Sequence, residues 1–368
     1  MSFFSDVERD LVVSGRTELA EGVLAIDLVS PNGRDLPAWT PGSHIDVMLP
    51  ARPGVGPLGP GAASAGPGGE PLERQYSLCG DGDDRSTWRV AVLREDAGRG
   101  GSVGLHERIE VGGRLRVRGP RNHFPFTPAA GARYLFVAGG IGITPLRSMV
   151  AAAEASGADW TLDYAGRSRA SMAFVDELTA LYPTRVRVHA ADEGARLDVA
   201  ALAGSIGSAG SVGSVGAAGS AGSAGSADAA GTAGVDAAVY ACGPARLLEA
   251  LEAAFCGAPD VLHLERFEAK EFGDPVWTEP FEVELAMTGT VVTVDPDTSV
   301  LDAIRAQSPE TPVLSSCRRG TCGTCEAPVL EGEIEHRDSI LTPLEREESA
   351  VMMVCVSRAA CPRIVLDL

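Results

Sequence analysis

Four cysteines constrain this chain more than any other feature. Cys317, Cys322 and Cys325 fall in the run CRRGTCGTC, and Cys355 follows in VMMVCVS. A C-x4-C-x2-C spacing with a distant fourth cysteine is the ligand spacing of a plant-type [2Fe–2S] cluster. Three thiolates on one tight loop can wrap two irons, and the fourth closes the cage. Gly320 and Gly323 sit between the ligands, where the backbone must bend inward and side chains would crowd the cluster. Backbone N–H groups in such a loop can point at the sulfurs. The alternative is a structural zinc site or reduced core cysteines. Zinc usually shows paired C-x2-C knuckles, and this region holds only one C-x2-C. Cys361, six residues past Cys355, reads as a bystander.

A chain of 368 residues is long enough for two or three domains. Apolar residues make up 45% and charged residues 22%, the balance of a globular protein. The formal net charge of −19 argues against a nucleic-acid partner and against docking on an anionic membrane. Eight cysteines, four of them committed to one site, suit a reducing compartment better than a disulfide framework. The start MSFFSDVERD has no basic, apolar leader pattern, and no stretch approaches the ~20 apolar residues of a membrane span. The expectation is a cytoplasmic protein.

Residues 1–128 contain short strand-like runs, LAIDLVS, HIDVMLP, RQYSL, WRVAVLRE and RLRVRGP, parted by Gly, Pro and Asp turns. They predict an antiparallel β-barrel or sandwich, interrupted by a Gly/Pro/Ala loop over 51–71. Residues 129–267 change pattern. YLFVAGG, WTLDYAG, RVRVHA, AAVYACG and VLHLERF alternate with helical stretches, which predicts an α/β domain with a parallel sheet. Within it, residues 203–234 are nearly all Gly, Ser, Ala and Val, and read as a loop insertion without a catalytic role. Residues 268–280 read as a linker. Residues 281–368 open with a hairpin turning near Thr288–Gly289, then a helix that Thr298 could cap. The cysteine loop lies at the rim of this small α+β domain.

Arg74-Gln75-Tyr76-Ser77 lies in one of the first strands. A guanidinium fork matches phosphate oxygens. A tyrosine two residues on shares its face and can cover an aromatic ring, while Ser77 can donate to a ring nitrogen. An ordinary strand could carry the same residues. Arg99, Gly100, Gly101 and Ser102 precede a helix and could form a nest of N–H groups for a phosphate, or a plain glycine turn. The two together, in order, favour a flavin phosphate site.

Gly139-Gly140-Ile141-Gly142-Ile143-Thr144-Pro145 follows an apolar strand and opens a helix. It departs from G-x-G-x-x-G because Pro145 takes the last position, yet it still lets backbone approach a pyrophosphate at a positive helix end. Cys242-Gly243-Pro244 does the same after a later strand. Cys242 is read as contacting a nicotinamide, with a buried small residue as the alternative. Arg167 and Arg169, in GRSR, could hold the adenosine ribose or its phosphate, or be an exposed basic pair.

RQYSL, GRGGS, GGIGITP, CGP and CRRGTCGTC, in that order, resemble the phthalate dioxygenase reductase family, which includes vanillate demethylase reductases. The resemblance covers nearly the whole chain apart from the two loop insertions. It implies three domains: a flavin β-barrel, an NAD(P)-binding α/β domain and a β-grasp ferredoxin domain. It implies FMN as the flavin, with Arg74, Tyr76, Ser77 and the Arg99–Ser102 turn matching its contacts. It also implies that Thr144 and Cys242 lie near the reacting rings, making Ser77, Thr144 and Cys242 the candidate catalytic residues, and that Phe267 is an aromatic near the flavin. NADH is the family's habit, while Arg167 and Arg169 leave NADPH open. The implied activity is electron transfer from NAD(P)H through FMN and the [2Fe–2S] cluster to an external oxygenase. That oxygenase is expected to be a Rieske dioxygenase or O-demethylase. A cytochrome P450 partner and a ferredoxin-type carrier with a structural flavin half are the alternatives.

Overall fold

The structure, a computed structural model, describes residues 7–49, 72–98, 100–207, 237–348 and 350–368. The expected loop at 51–71, Arg99, and residues 208–234 of the expected insertion lie outside them. The chain divides into two units, Met1–Glu265 and Arg266–Leu368.

The first unit opens with a six-stranded antiparallel sheet: β1 (Glu8–Ala20), β2 (Val23–Val29), β3 (His44–Leu49), β4 (Leu72–Ser77), β5 (Thr87–Leu93) and β6 (Arg114–Arg121). The strand order is β4-β3-β6-β1-β2-β5. Its alternating Val, Ile and Leu residues turn one face inward, so that Ile26, Ile45, Val47, Trp88, Val90 and Val117 form one core. The expected barrel is not closed by a continuous ladder. Among the described residues its two edge strands pair past β4, through the bridge Leu78–Val90 and the bond from Cys79 N–H to the Arg89 carbonyl, 2.9 Å. The short helix α1 (Gly101–Arg108) follows β5.

The rest of the unit alternates strand and helix: β7 (Arg133–Gly139), α2 (Ile143–Ser156), β8 (Asp159–Gly166), α3 (Val175–Leu181), β9 (Val186–Ala190), α4 (Val199–Gly207), β10 (Ala237–Cys242), α5 (Ala245–Ala254) and β11 (Leu262–Glu265). All five strands are parallel, in the order β11-β10-β7-β8-β9. The order reverses between β7 and β10, and ligands of such sheets bind where strand order reverses. Residues 203–207, expected to begin the loop insertion, instead finish α4. Both sheets share a core: Cys79, Ala91, Phe124 and Phe126 pack with Phe136, Trp160 and Tyr240. Phe126 meets Tyr134 and Tyr240 edge-on at 4.9 Å.

In the second unit, β12 (Phe281–Leu285) and β13 (Thr290–Val294) form the expected hairpin, with Gly289 at φ 69 in its turn. Helix α6 (Val300–Gln307) is capped by Ser299, whose hydroxyl accepts the Asp302 N–H, and not by Thr298. There follow β14 (Glu326–Glu331), β15 (Ile334–Glu335), α7 (Pro343–Glu348), β16 (Val351–Met353), β17 (Arg358–Ala359) and β18 (Arg363–Leu366). The main sheet runs β13-β12-β18-β14-β16, so β18 is its middle strand, and β15 pairs with β17. Residues 266–280 form no helix or strand.

Candidate functional site

Strand β4 points Arg74 and Tyr76 to one face and Glu73, Gln75 and Ser77 to the other. Arg74 lies against the start of α1, where a Cβ added to Gly101 would stand 2.8 Å from its Cγ and 3.0 Å from its Nε. Gly100 takes φ 83 as the helix N-cap, a conformation that favours glycine. A guanidinium is thus brought beside the N–H groups of a helix's first turn, an arrangement that takes an anion. Tyr76 packs against the sheet core, and burial raises its hydroxyl above the usual value. Ser77 is buried. The Ser102 hydroxyl accepts the Glu95 N–H at 3.0 Å.

Gln75 is turned to a different task. Its Nε2 donates to Asp46 at 2.6 Å, and Asp46 also takes Arg118 at 3.2 Å and Arg121 at 2.5 Å. Burial works to raise the Asp46 carboxyl, but Arg121, Gln75, His44 and Arg118 together hold it below the ordinary carboxylate value. This ion network pins β3, β4 and β6 together.

The two glycine turns of the parallel sheet are packed backbone to backbone. A Cβ on Gly142 would stand 2.2 Å from the Cys242 carbonyl oxygen, and one on Gly139 would stand 2.6 Å from Pro244 Cδ and 3.3 Å from Gly243 Cα. Gly140 takes φ 55 and faces open space. The Thr144 hydroxyl donates to the Ile141 carbonyl at 3.0 Å, and Pro145 sits in the first turn of α2. Arg167 is exposed just past β8, and Arg169 lies 3.5 Å from Asp176.

Cys242 is fully buried and shares a hydrogen bond with Glu265, its register partner on β11. Burial pushes the Cys242 thiol well up and lifts the Glu265 carboxyl to about 8, with Cys242 working against that rise. Glu265 Oε2 has no hydrogen-bond partner among the described residues. Phe267 lies in the second unit and is 40% exposed.

Two residues of this region are absent from the sequence reading. Glu265 carried a visible signal, a lone acid closing the apolar strand VLHLE. Arg147 carried less. From the second turn of α2 its guanidinium donates to the carbonyls of Cys79 (2.5 Å) and Gly80 (3.4 Å), pairs with Glu177 (2.6 Å) and lies over the Phe174 ring at 5.0 Å.

In the second unit the four cysteines Cys317, Cys322, Cys325 and Cys355 are all buried, 1–8% exposed, and none is in a disulfide. Their side chains touch in a chain, Cys322 to Cys317 to Cys355 to Cys325. Among the described residues no group of three or more His, Cys, Asp or Glu side chains is arranged around a single-ion position. The Cys317 sulfur accepts N–H bonds from Arg319 (3.3 Å) and Thr321 (3.4 Å). Gly320 (φ 69) and Gly323 (φ 70) turn the loop as expected, and a Cβ on Gly320 would stand 2.6 Å from Val356 Cγ2 and 3.0 Å from Asp338 Cα. Gathered thiols, N–H donors to sulfur and a glycine-lined loop fit a [2Fe–2S] group. Cys361 is set apart, its sulfur accepting the Glu333 N–H at 3.2 Å.

Comparison with known proteins gives the same division. A family model for a 2Fe-2S iron-sulfur cluster binding domain matches residues 283–360, and one for an oxidoreductase NAD-binding domain matches residues 136–253. The toluene-4-sulfonate monooxygenase system reductase subunit of Comamonas testosteroni is 37% identical over 363 residues, 97% of this chain and 98% of that one. The solved structure of phthalate dioxygenase reductase, described as modular for electron transfer from pyridine nucleotides to [2Fe-2S], covers 98% of both chains at 30% identity and TM-score 0.60. An intact type IV self-sufficient cytochrome P450 monooxygenase matches 98% of this chain at 41% identity and TM-score 0.79, and the match spans 41% of that protein.

Proposed function

This chain belongs to the phthalate dioxygenase reductase family of oxygenase reductase subunits, and from that membership we propose that it takes electrons from NADH and delivers them singly to a partner oxygenase. The observation that carries the proposal is one chain holding both four gathered thiols and a parallel-sheet switch point with two apposed glycine turns. When bound, FMN and the cluster supply the conversion of a two-electron hydride into single-electron transfers.

The residues divide that work. Arg74, Arg99 and the Gly100–Ser102 turn hold the FMN phosphate, Tyr76 covers the ring and Ser77 donates to it. Edge strand β4 turns its outer backbone toward the ring, while the Gln75 side chain braces the strand on Asp46. Gly139, Gly140, Gly142, Thr144 and Pro145, with Cys242, Gly243 and Pro244, cradle the dinucleotide at a positive helix end. Cys242 and Glu265 shape the wall at the nicotinamide, and Arg167 meets the adenosine ribose. Cys317, Cys322, Cys325 and Cys355 ligate the cluster. No helix among the described residues is long and apolar enough to cross a membrane, which supports a cytoplasmic setting.

The partner we favour is a Rieske aromatic-ring dioxygenase or O-demethylase. A cytochrome P450 partner is the second reading, supported by the match to a self-sufficient P450. The test is an anaerobic NADH titration of the full chain loaded with FMN and cluster, followed by transfer to each class of oxygenase. Transfer of single electrons to a Rieske component is expected, with kcat/KM higher for NADH than for NADPH. Zinc in place of iron and sulfide, or a loaded protein that reduces no external acceptor, would refute the proposal.

A further inference from the structure

The cluster-bearing unit, on the reading above, must present a surface to the protein that takes its electrons. That unit carries nineteen acidic residues against nine basic ones. The ligand loop reverses the balance. No Asp or Glu lies between Glu310 and Glu326, and Arg318 and Arg319 stand exposed within that span.

The backbone of one and the side chain of the other are tied to the structure beneath. The backbone N–H of Arg319 donates to the Cys317 sulfur at 3.3 Å, which anchors its exposed side chain two residues from a ligand. Arg318 takes φ 56, a left-handed conformation that a non-glycine side chain occupies only under constraint. Asp302 on α6 is ion-paired with it. Arg305, on the same helix, donates to Ser315 of the loop at 2.7 Å. Leu314, on the same loop, leaves 46% of its surface exposed. A large exposed apolar side chain on the same loop as two exposed arginines, in an otherwise acidic unit, has the composition of an electrostatically steered contact.

We propose that Leu314, Arg318 and Arg319 form the docking face for the electron acceptor, and that this acceptor is a protein with carboxylates ringing its own redox centre. The inference rests on the electron-transfer function above and adds to it the chemistry of the partner's surface.

Two probe proteins test it with the loaded full chain. Cytochrome b5 has carboxylates around its haem edge, and cytochrome c has lysines there. Their rates of reduction by the same reduced enzyme give a ratio that cancels any change in flavin turnover or cluster content, and a redox titration of each variant checks the cluster potential separately. Cytochrome b5 should be the preferred probe at low salt, with the preference fading as salt rises. Arg319→Glu should lower the b5-to-c ratio about tenfold and flatten its salt dependence. Arg318→Gly, which the local φ accepts without strain, should lower it about threefold. Calorimetric binding of oxidised cytochrome b5 to the oxidised protein should weaken in parallel. The proposal is overturned if ratio and binding stay unchanged in both variants. It is equally overturned if the ratio holds while NADH-driven cluster reduction slows, since the loop would then serve the chain's own flavin. A wild-type protein that reduces neither cytochrome would instead refute the electron-transfer function. One that reduces both without preference would refute the docking face alone.

Discussion

The Arg147 guanidinium donates to the Cys79 carbonyl at 2.5 Å, tying helix α2 to the segment that leaves strand β4. The helix begins at the nucleotide turn and the strand carries Arg74, Tyr76 and Ser77. On the function proposed above, this bond spans the two halves of the hydride-transfer site, beside the core the two sheets share. Arg147→Met should slow flavin reduction by NADH about tenfold, because small misplacements of reacting groups are costly. It should also cost about 2 kcal/mol of stability by leaving Glu177 and two carbonyls without their donor. Stopped-flow absorbance and thermal unfolding give the two readouts. A lowered melting temperature with unchanged flavin reduction would reduce Arg147 to a structural tie.

Gly101 and Gly100 make a contrasting pair. A Cβ on Gly101 would press on Arg74 Cγ and Nε, whereas one on Gly100 would meet nothing within 4 Å and suffer only from φ 83. Gly101→Ala should cut FMN retention at least about tenfold by displacing the guanidinium fork. Gly100→Ala should cost stability of about 1–2 kcal/mol with a smaller effect on FMN. Flavin dissociation constants from fluorescence titration distinguish them, and equal losses would contradict the assignment of Arg74.

Glu265 gives a signed pH prediction. Its folded value of about 8 lies above the ordinary 4.5, so the folded protein holds this proton more tightly than the unfolded chain. The resulting stabilisation is complete below pH 4.5 and is lost as pH rises through 8, a change on the order of a few kcal/mol. Glu265→Gln should flatten stability across that window in denaturant titrations. A wild-type stability that does not fall toward pH 8 would show that the carboxyl is not held protonated.

Cys355→Ser should abolish the cluster absorbance after anaerobic reconstitution, whereas Cys361→Ser should leave it intact. Cys361 lies six residues further along the chain, but its sulfur is occupied by the Glu333 N–H. Iron-to-protein ratios check both variants, and loss of iron in Cys361→Ser would reassign the fourth ligand.

Gly142→Ala places a methyl 2.2 Å from the Cys242 carbonyl oxygen and should push the two turns apart. We expect destabilisation of about 3 kcal/mol and loss of NADH binding, read by unfolding and by nucleotide titration. A variant that keeps both would mean that the turns need not touch.

Much of this was legible because it depends on local pattern. The cysteine spacing, the alternation of strand and helix after residue 129, and the glycine turns are all written in short stretches of chain. What escaped depends on pairing across distance. Strand β1, at 13 residues the longest among the described residues, was hidden because register shifts near Gly15 and Ala20 break its alternation. Gln75 reads like a flavin contact until β3 brings Asp46 opposite it. Ser299 and Thr298 are equal candidates as a cap in sequence, and only the Ser299–Asp302 bond decides between them. Arg147 and Glu265 acquire meaning through Cys79 and Cys242, partners 68 and 23 residues away.

The central place of β18 has a consequence for how the protein comes into being. Strand β12 must wait for residues 363–366 to be synthesised before its parallel neighbour exists, and such distant pairings form slowly. Iron and sulfide therefore meet a finished scaffold only late in biogenesis, after translation has passed the last of the four thiols. Expression that outruns iron supply should fill the cell with chains that have all four thiols in place and no cluster.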